Sequence, residues 1–300
     1  MTSVLICTWN RGDLIHATLK SLIEDSIKKA DEIVVVNGGG EKDCSPTLSY
    51  WKDRCDYLRE VKTQNINLAN SRNIGLKAVK GDLILMTDDD ARVFPDWIEK
   101  MVKAHQGFPK AGVIGGEVVD ASGESLLSHI ADITTFPRYN KRTEVRHVPG
   151  VNCSFKREVI DAIGEQDLQL FRGEDVDYTW KAQRAGWKVL YDPDIKVYHA
   201  HRPTWKGLFH QHHMYGRAYY RVREKWKDMY CAYPRHLRTP RMWAKGLYYL
   251  ASPWLYAWQK AKKLPDLKER LSGYFIITAI SYYTMYGTFL QWRIDTRQQA

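Results

Sequence analysis

Cysteine is scarce in this chain. The five residues Cys7, Cys44, Cys55, Cys153 and Cys231 are odd in number and form no Cys-x-x-Cys pair. That pattern argues against a disulfide framework and against a zinc site, and for a reducing compartment. No positively charged leader or apolar h-region precedes the strand-like run Val4-Leu5-Ile6-Cys7. A secretory signal is therefore not expected, and the expected location is cytoplasmic. Zinc-finger spacings, RNA-binding signatures, internal repeats and low-complexity segments are also missing. A nucleic-acid partner is therefore not expected.

Acidic residues are scarce in one region. Of 45 Lys+Arg and 35 Asp+Glu, 18 and 5 lie from His201 onward, leaving 27 and 30 in the first 200 residues. The same last third holds 12 of the 18 tyrosines and 6 of the 11 tryptophans. Basic and aromatic residues set among long apolar stretches suit a membrane surface. Gly273 to Trp292 is twenty residues without a formal charge, long enough to span a bilayer. It also contains Gly, Thr, Ser, Gln and many Tyr. A segment lying in the interface, or a homodimer contact, fits as well. The expectation is a protein peripheral or integral at the cytoplasmic face.

Three hundred residues can bury a full α/β core with an appendage. Up to about residue 200, short apolar runs alternate with helical patterns. Val4 to Thr8, Ile33 to Val36, Tyr57 to Val61, Leu83 to Thr87 and Ala111 to Val119 read as strands. Between them, Ile15 to Ile23, Ser45 to Arg54, Leu68 to Val79 and the segment opened by Pro95 read as helices. This order predicts a largely parallel sheet with helices on both faces. Asp120 to His147 has no clear period and is expected to be a loop near the site. The domain boundary is expected at residue 205, with 1–205 catalytic and 206–300 a helical, basic, aromatic extension.

Asp88-Asp89-Asp90 follows the apolar run Leu83 to Thr87. Like charges crowded at a strand end repel unless a cation compensates them, and strand ends are where open α/β sheets bind ligands. Alternation points Asp88 and Asp90 one way and Asp89 the other. The first two can therefore converge on one divalent ion, Mg²⁺ or Mn²⁺, which suits a diphosphate-bearing substrate. The alternative is an acidic turn capping the next helix. Other parts of a nucleotide site occur in order: Thr8-Trp9-Asn10-Arg11 after the first strand and Asn37-Gly38-Gly39-Gly40 after the second. Arg72 is a fixed cation that could meet a phosphate. Glu174-Asp175 opens a helix, where acids are also favoured by the dipole alone.

With these motifs in this order, the chain resembles the family 2 glycosyltransferases of GT-A (Rossmann-like) fold. The matching segments are Val4–Arg11, Glu32–Gly40, Asn67–Gly75, Gly81–Asp90 with Pro95-Asp96-Trp97, Gly150–Arg157, and Gly173–Asp177 through Gly186 to His199. The resemblance implies inverting transfer from a nucleotide-diphosphate sugar to a hydroxyl in glycan or polysaccharide assembly. It implies Asp90 as metal ligand, Asp88 on metal or ribose, and Asp175 of the Glu174-Asp175 pair as base. His199 would be a further metal ligand, with His201 as its competitor. Thr8, Trp9, Asn10, Arg11, Arg72 and Asp89 would line the nucleotide. Asn37 stands where the family often has a base-contacting aspartate. Asparagine both accepts and donates, so the preference for UDP is slight, and guanine and thymine stay open. His210 to Arg217 resembles members acting on polyprenyl-linked acceptors, so the acceptor is expected to be a saccharide or a polyprenyl-linked one. The alternatives are a sugar nucleotidyltransferase, for which Thr8 to Gly12 is a poor phosphate loop, and an inactive membrane-binding module.

Overall fold

The structure is a computed structural model that describes residues 1–298. Its strands are β1 (Thr2–Thr8), β2 (Glu32–Asn37), β3 (Leu58–Lys62), β4 (Leu83–Asp88), β5 (Ala91–Val93), β6 (Ala111–Asp120), β7 (Thr143–Glu144), β8 (Cys153–Lys156) and β9 (Lys188–His199). Its helices are α1 (Ile15–Lys20), α2 (Ser45–Lys52), α3 (Leu68–Ala78), α4 (Trp97–Gly107), α5 (Leu126–Thr135), α6 (Arg157–Ile163), α7 (Glu174–Arg184), α8 (Trp205–Lys225), α9 (Pro240–Ala261) and α10 (Leu267–Gln298). They form two compact units, Met1–Ala121 with Pro137–Ala200, and Ser122–Phe136 with His201–Ala300.

The first unit is one sheet in the order β3-β2-β1-β4-β8-β6-β9-β5, with β7 paired to β9. From β3 to β4 neighbours are parallel. Strand β8 then runs antiparallel between β4 and β6, and β6 is again parallel to β9. Both faces are covered, which is why these strands are continuous apolar runs rather than alternating ones. Leu5, Val34, Val36, Ile84 and Met86 join a core with Leu76 of α3, Val159 of α6 and Tyr178 of α7. Val4, Ile6, Ile33 and Val35 alternate to the other face and are equally buried. Register sets Cys7 beside Asp88 and Thr8 beside Asn37, so the carboxyl ends of β1, β2 and β4 meet at one edge.

The second unit is helical and draws in a segment expected to be a loop. Residues 122–136 belong to it, and the second unit resumes at His201 rather than at 206. Ser125 caps α5 by accepting from the Ser128 amide, and Ile130 and Ala131 pack with Leu208, Ala257, Ala261 and Ile277. The overlooked signal was that cap, followed by Leu126, Ile130 and Ile133 at helical spacing. Helices α8 and α10 cross through glycines. A Cβ on Gly216 would stand 1.8 Å from the Thr284 carbonyl oxygen, and one on Gly287 2.2 Å from that of His213. The stretch Gly273 to Trp292, expected to be long enough to span a bilayer, is the middle of α10. Among the described residues no helix is long and apolar enough to cross a membrane.

Candidate active site

Local chemistry shapes the end of β1. Asn10 takes a positive φ of 54°, which asparagine tolerates because its short side chain hydrogen-bonds locally. Its Oδ1 accepts from the Lys42 amide at 2.7 Å, and its own amide donates to the Gly39 carbonyl at 2.8 Å. The loops after β1 and β2 are thereby laced together. Gly40 is required here: its φ is +109°, and a Cβ would stand 2.8 Å from that of Asn10. Trp9 is half exposed beside them.

Asn37 is buried and turned inward. Its Nδ2 donates to Asp43 at 2.7 Å and to Glu60 at 2.8 Å, and its Oδ1 accepts from the Gly39 amide at 2.9 Å. The amide thus organises the Gly38–Gly40 loop, with the carboxylates of Asp43 and Glu60 gathered around it. Sequence reasoning had not singled out either acid.

The three aspartates separate as expected, although β4 ends at Asp88 and the separation is made by the turn of Asp89 and Asp90 that follows. Asp89 is buried beside Thr8, and burial raises its carboxyl to about 6. Asp88 and Asp90 come together with His199, and one ligand atom from each lies within 4.8 Å of the others. His199 arrives from far along the chain because β5 pairs antiparallel with β9, setting Ala91 opposite His199. Its Nε2 is 3.3 Å from Asp90 Oδ1, and Arg11 Nη1 donates to Asp90 Oδ2 at 2.9 Å. Burial alone would raise Asp90, but His199 and Arg11 outweigh it and bring the carboxyl down to about 2. Burial raises Asp88, with Asp90 and Asp175 adding to it against Arg72. Thr18 of α1 fixes this turn by donating to the carbonyls of Asp89 and Ala91 at 3.0 and 2.6 Å. His201 lies in the second unit, 3.5 Å from Asp132.

Arg72 is buried between acids, 2.9 Å from Glu174 and 3.7 Å from Asp88. Burial would lower its guanidinium, but Glu174 and Asp88 carry it above its ordinary value. Burial raises Glu174 in turn. Gly150 leaves room for this cation, since a Cβ there would stand 2.5 Å from Arg72 Nη2. The Gly150 amide donates to Asp175 Oδ2 at 3.3 Å, while Asp175 Oδ1 accepts from the Val176 amide at 2.8 Å. Behind the site, buried Asn152 accepts from Trp97 Nε1 at 2.8 Å and donates to the carbonyls of Glu117 and Ile195. It ties α4, β6 and β9 into one frame. Cys7 and Cys153 border Arg72, but burial pushes both thiols up to about 12. They stay protonated and are not nucleophiles.

Two carboxylates and an imidazole offer one divalent cation an O, O, N donor set. The half-buried Asp175 carboxylate, positioned by the Gly150 and Val176 amides, is placed to accept a proton. Neither requires a covalent intermediate on the protein.

The model of one protein family, described as Glycosyl transferase family 2, matches residues 3–164. A glucosyl-dolichyl phosphate glucuronosyltransferase of Haloferax volcanii is 27% identical over 216 residues, 66% of this chain and 68% of that protein. A poly-β-1,6-N-acetyl-D-glucosamine synthase of Staphylococcus aureus is 25% identical over 218 residues, 70% of this chain and 52% of that one. The matching region therefore spans about half the length of the synthase. Among solved structures, a mannosyltransferase from Pyrobaculum calidifontis in complex with GDP-Man and Mn²⁺ superposes with a TM-score of 0.68. It is 18% identical and covers 97% of this chain and 86% of its own. GalNAc-T7 with UDP, GalNAc and Mn²⁺ gives a TM-score of 0.58 at 17% identity, over 91% of this chain and 54% of its own. At those identities the likeness is one of fold.

Proposed function

The chain belongs to glycosyl transferase family 2, and from that premise we propose that its first unit is a divalent-cation-dependent, inverting transferase. It moves a sugar from a nucleotide diphosphate to an acceptor hydroxyl in glycan assembly. The observation that carries this reading is the convergence of Asp88 at the end of β4, Asp90 in the turn that follows it and His199 at the end of β9. Asp90, ionised far below neutral pH, and His199 suit Mn²⁺; Mg²⁺, which prefers oxygen, fits the two carboxylates better. When held there, the cation supplies counter-charge to the departing diphosphate.

The chain's own groups do the rest. Asp175 accepts the acceptor's hydroxyl proton as that oxygen attacks the anomeric carbon from the face opposite the leaving group. The new C–O bond forms as the bond to the phosphate oxygen breaks, so the configuration inverts. Arg72 holds Glu174 and, with Gly150, sets the position of Asp175. Arg11, already paired with Asp90, is a cation for the nucleotide phosphates. Thr8, Trp9 and Asn10 wall the nucleotide. Asn37 acts through the Gly38–Gly40 loop it fixes, held in turn by Asp43 and Glu60.

The acceptor in this reading is a saccharide or a lipid-linked one. The relatives' glucosyl-dolichyl phosphate and polysaccharide names support it, as does a surface on α9. Trp243, Leu247, Leu250, Trp254 and Trp258 recur on one helical face and are all exposed. Lys262 Nζ lies 3.0 Å from the Trp258 ring centroid. Trp beside basic residues suits a headgroup layer, and the chain is read as peripheral to such a surface. The test is an assay of the full chain with Mn²⁺ and a panel of UDP-, GDP- and dTDP-sugars, with and without chelator. Transfer that persists undiminished in excess chelator would sink the cation-dependent reading.

A further inference from the structure

The second unit contains a cleft of about 610 Å³ between α8 and α9, floored by α10. That lies within the roughly 300–1,000 Å³ of small-molecule sites. On α8 it runs from His212 to Arg223, about 16 Å at helical rise. Tyr215, Tyr219, Tyr230, Tyr248, Tyr249 and Tyr256 line it. We propose that this cleft binds an oligosaccharide chain.

Hydroxyl and amide groups spaced along otherwise aromatic and apolar walls carry the proposal. Thr284 Oγ1 donates to the Ile280 carbonyl at 2.9 Å and Ser281 Oγ to that of Ile277 at 2.8 Å. Ser252 Oγ donates to Tyr249 at 2.7 Å and Thr288 Oγ1 to Gly216 at 3.0 Å. Each hydroxyl has its proton engaged, and those of Ser252, Ser281 and Thr284 keep lone pairs for an incoming donor. Gln259 and the phenols of Tyr248 and Tyr256 add groups that both donate and accept. Arg223 adds a donor at one end, held by its bond to the Tyr230 carbonyl at 3.3 Å and its seat 4.0 Å over the Tyr219 ring. Sugar hydroxyls both donate and accept, and the C–H faces of pyranose rings pack on tyrosine rings, which are rigid and amphipathic. A hydrocarbon chain would strip water from these oxygens and return no hydrogen bond. The slot is elongated, so a chain of sugars suits it better than one ring.

Calorimetry of the full chain with cellotetraose, mannotetraose and chitotetraose tests this. At least one should bind, and Y248A/Y256A should weaken it tenfold or more. Both side chains are 37% exposed or more, so the core is spared. S281F, which fills the floor, should do the same. Asp90→Asn should leave saccharide binding unchanged, so a failure of the donor-site reading and a failure of this one are distinguishable. The proposal is overturned if none of the three saccharides binds, or if binding ignores both variants. It is equally overturned if farnesyl phosphate binds in the cleft and the saccharides do not.

Discussion

Replacing Asp90 by asparagine changes one charge at constant shape, so its effects can be worked out from the site. In the metal-free chain Asp90 faces His199 at 3.3 Å and Arg11 at 2.9 Å, and its carboxyl sits at about 2. The unfolded value is about 3.9. A depressed folded value stabilises the native state when the carboxylate is ionised. The contribution is complete above about pH 4 and is lost as pH falls toward 2, and it amounts to about 2–3 kcal/mol. D90N should therefore be about that much less stable at pH 7 without metal, and the gap should close in strong acid. Metal binding should fall further. Losing partners that merely orient a ligand costs roughly 10–100-fold in affinity, and losing a charged ligand should cost at least that much. Chemical unfolding from pH 2 to 7 and Mn²⁺ calorimetry read the two effects separately. Unchanged Mn²⁺ affinity in a folded D90N would refute the assignment, whatever the stability change.

Asp175→Asn should keep donor affinity near wild type and lower kcat by roughly a hundredfold or more, as on losing a general base; collapse of donor affinity with little further loss in kcat would make Asp175 a binding residue. His105 is held at about 4 by burial and then by Lys156, so it folds neutral. Stability should drop by up to about 3 kcal/mol as pH falls from about 6.5 to 4, and in H105Q that part of the slope should be missing from urea titrations. G287A forces a Cβ against a backbone oxygen across the α8–α10 crossing and should destabilise the second unit by about 1–3 kcal/mol; an unshifted unfolding midpoint would contradict the close crossing. The full chain should float with anionic vesicles at low salt and release at high salt, and W254S/W258S should weaken this; no flotation by the folded wild type would end the membrane reading.

Some of this was legible in the residues alone, because it rests on periods and neighbours. Continuous runs such as Ile33–Val36 need cover on both faces, and that made the first 200 residues an α/β sheet. Alternation within one short stretch predicted Asp88 and Asp90 on one side and Asp89 on the other, and the turn after β4 delivers that separation. Other features depend on which distant segments meet. His199 stands 109 positions after Asp90 and reaches it only through the β5–β9 pairing, which no local pattern encodes. Arg72 read as a fixed cation that could meet a phosphate, and only folding shows what fixes it, Glu174 on one side and Asp88 on the other. Resemblance places Asn37 at a base-contacting position, and only the fold shows that its amide also donates to Asp43 and Glu60. Residues 122–136 read as a loop because three turns of helix make too short a period to notice. Their apolar side needed the surfaces of α8, α9 and α10, from 70 or more residues later, to become a core. The sequence determined which chemistry is present and at which strand ends. The tertiary structure decided which charges face each other, because long-range pairing and burial set both their partners and their protonation.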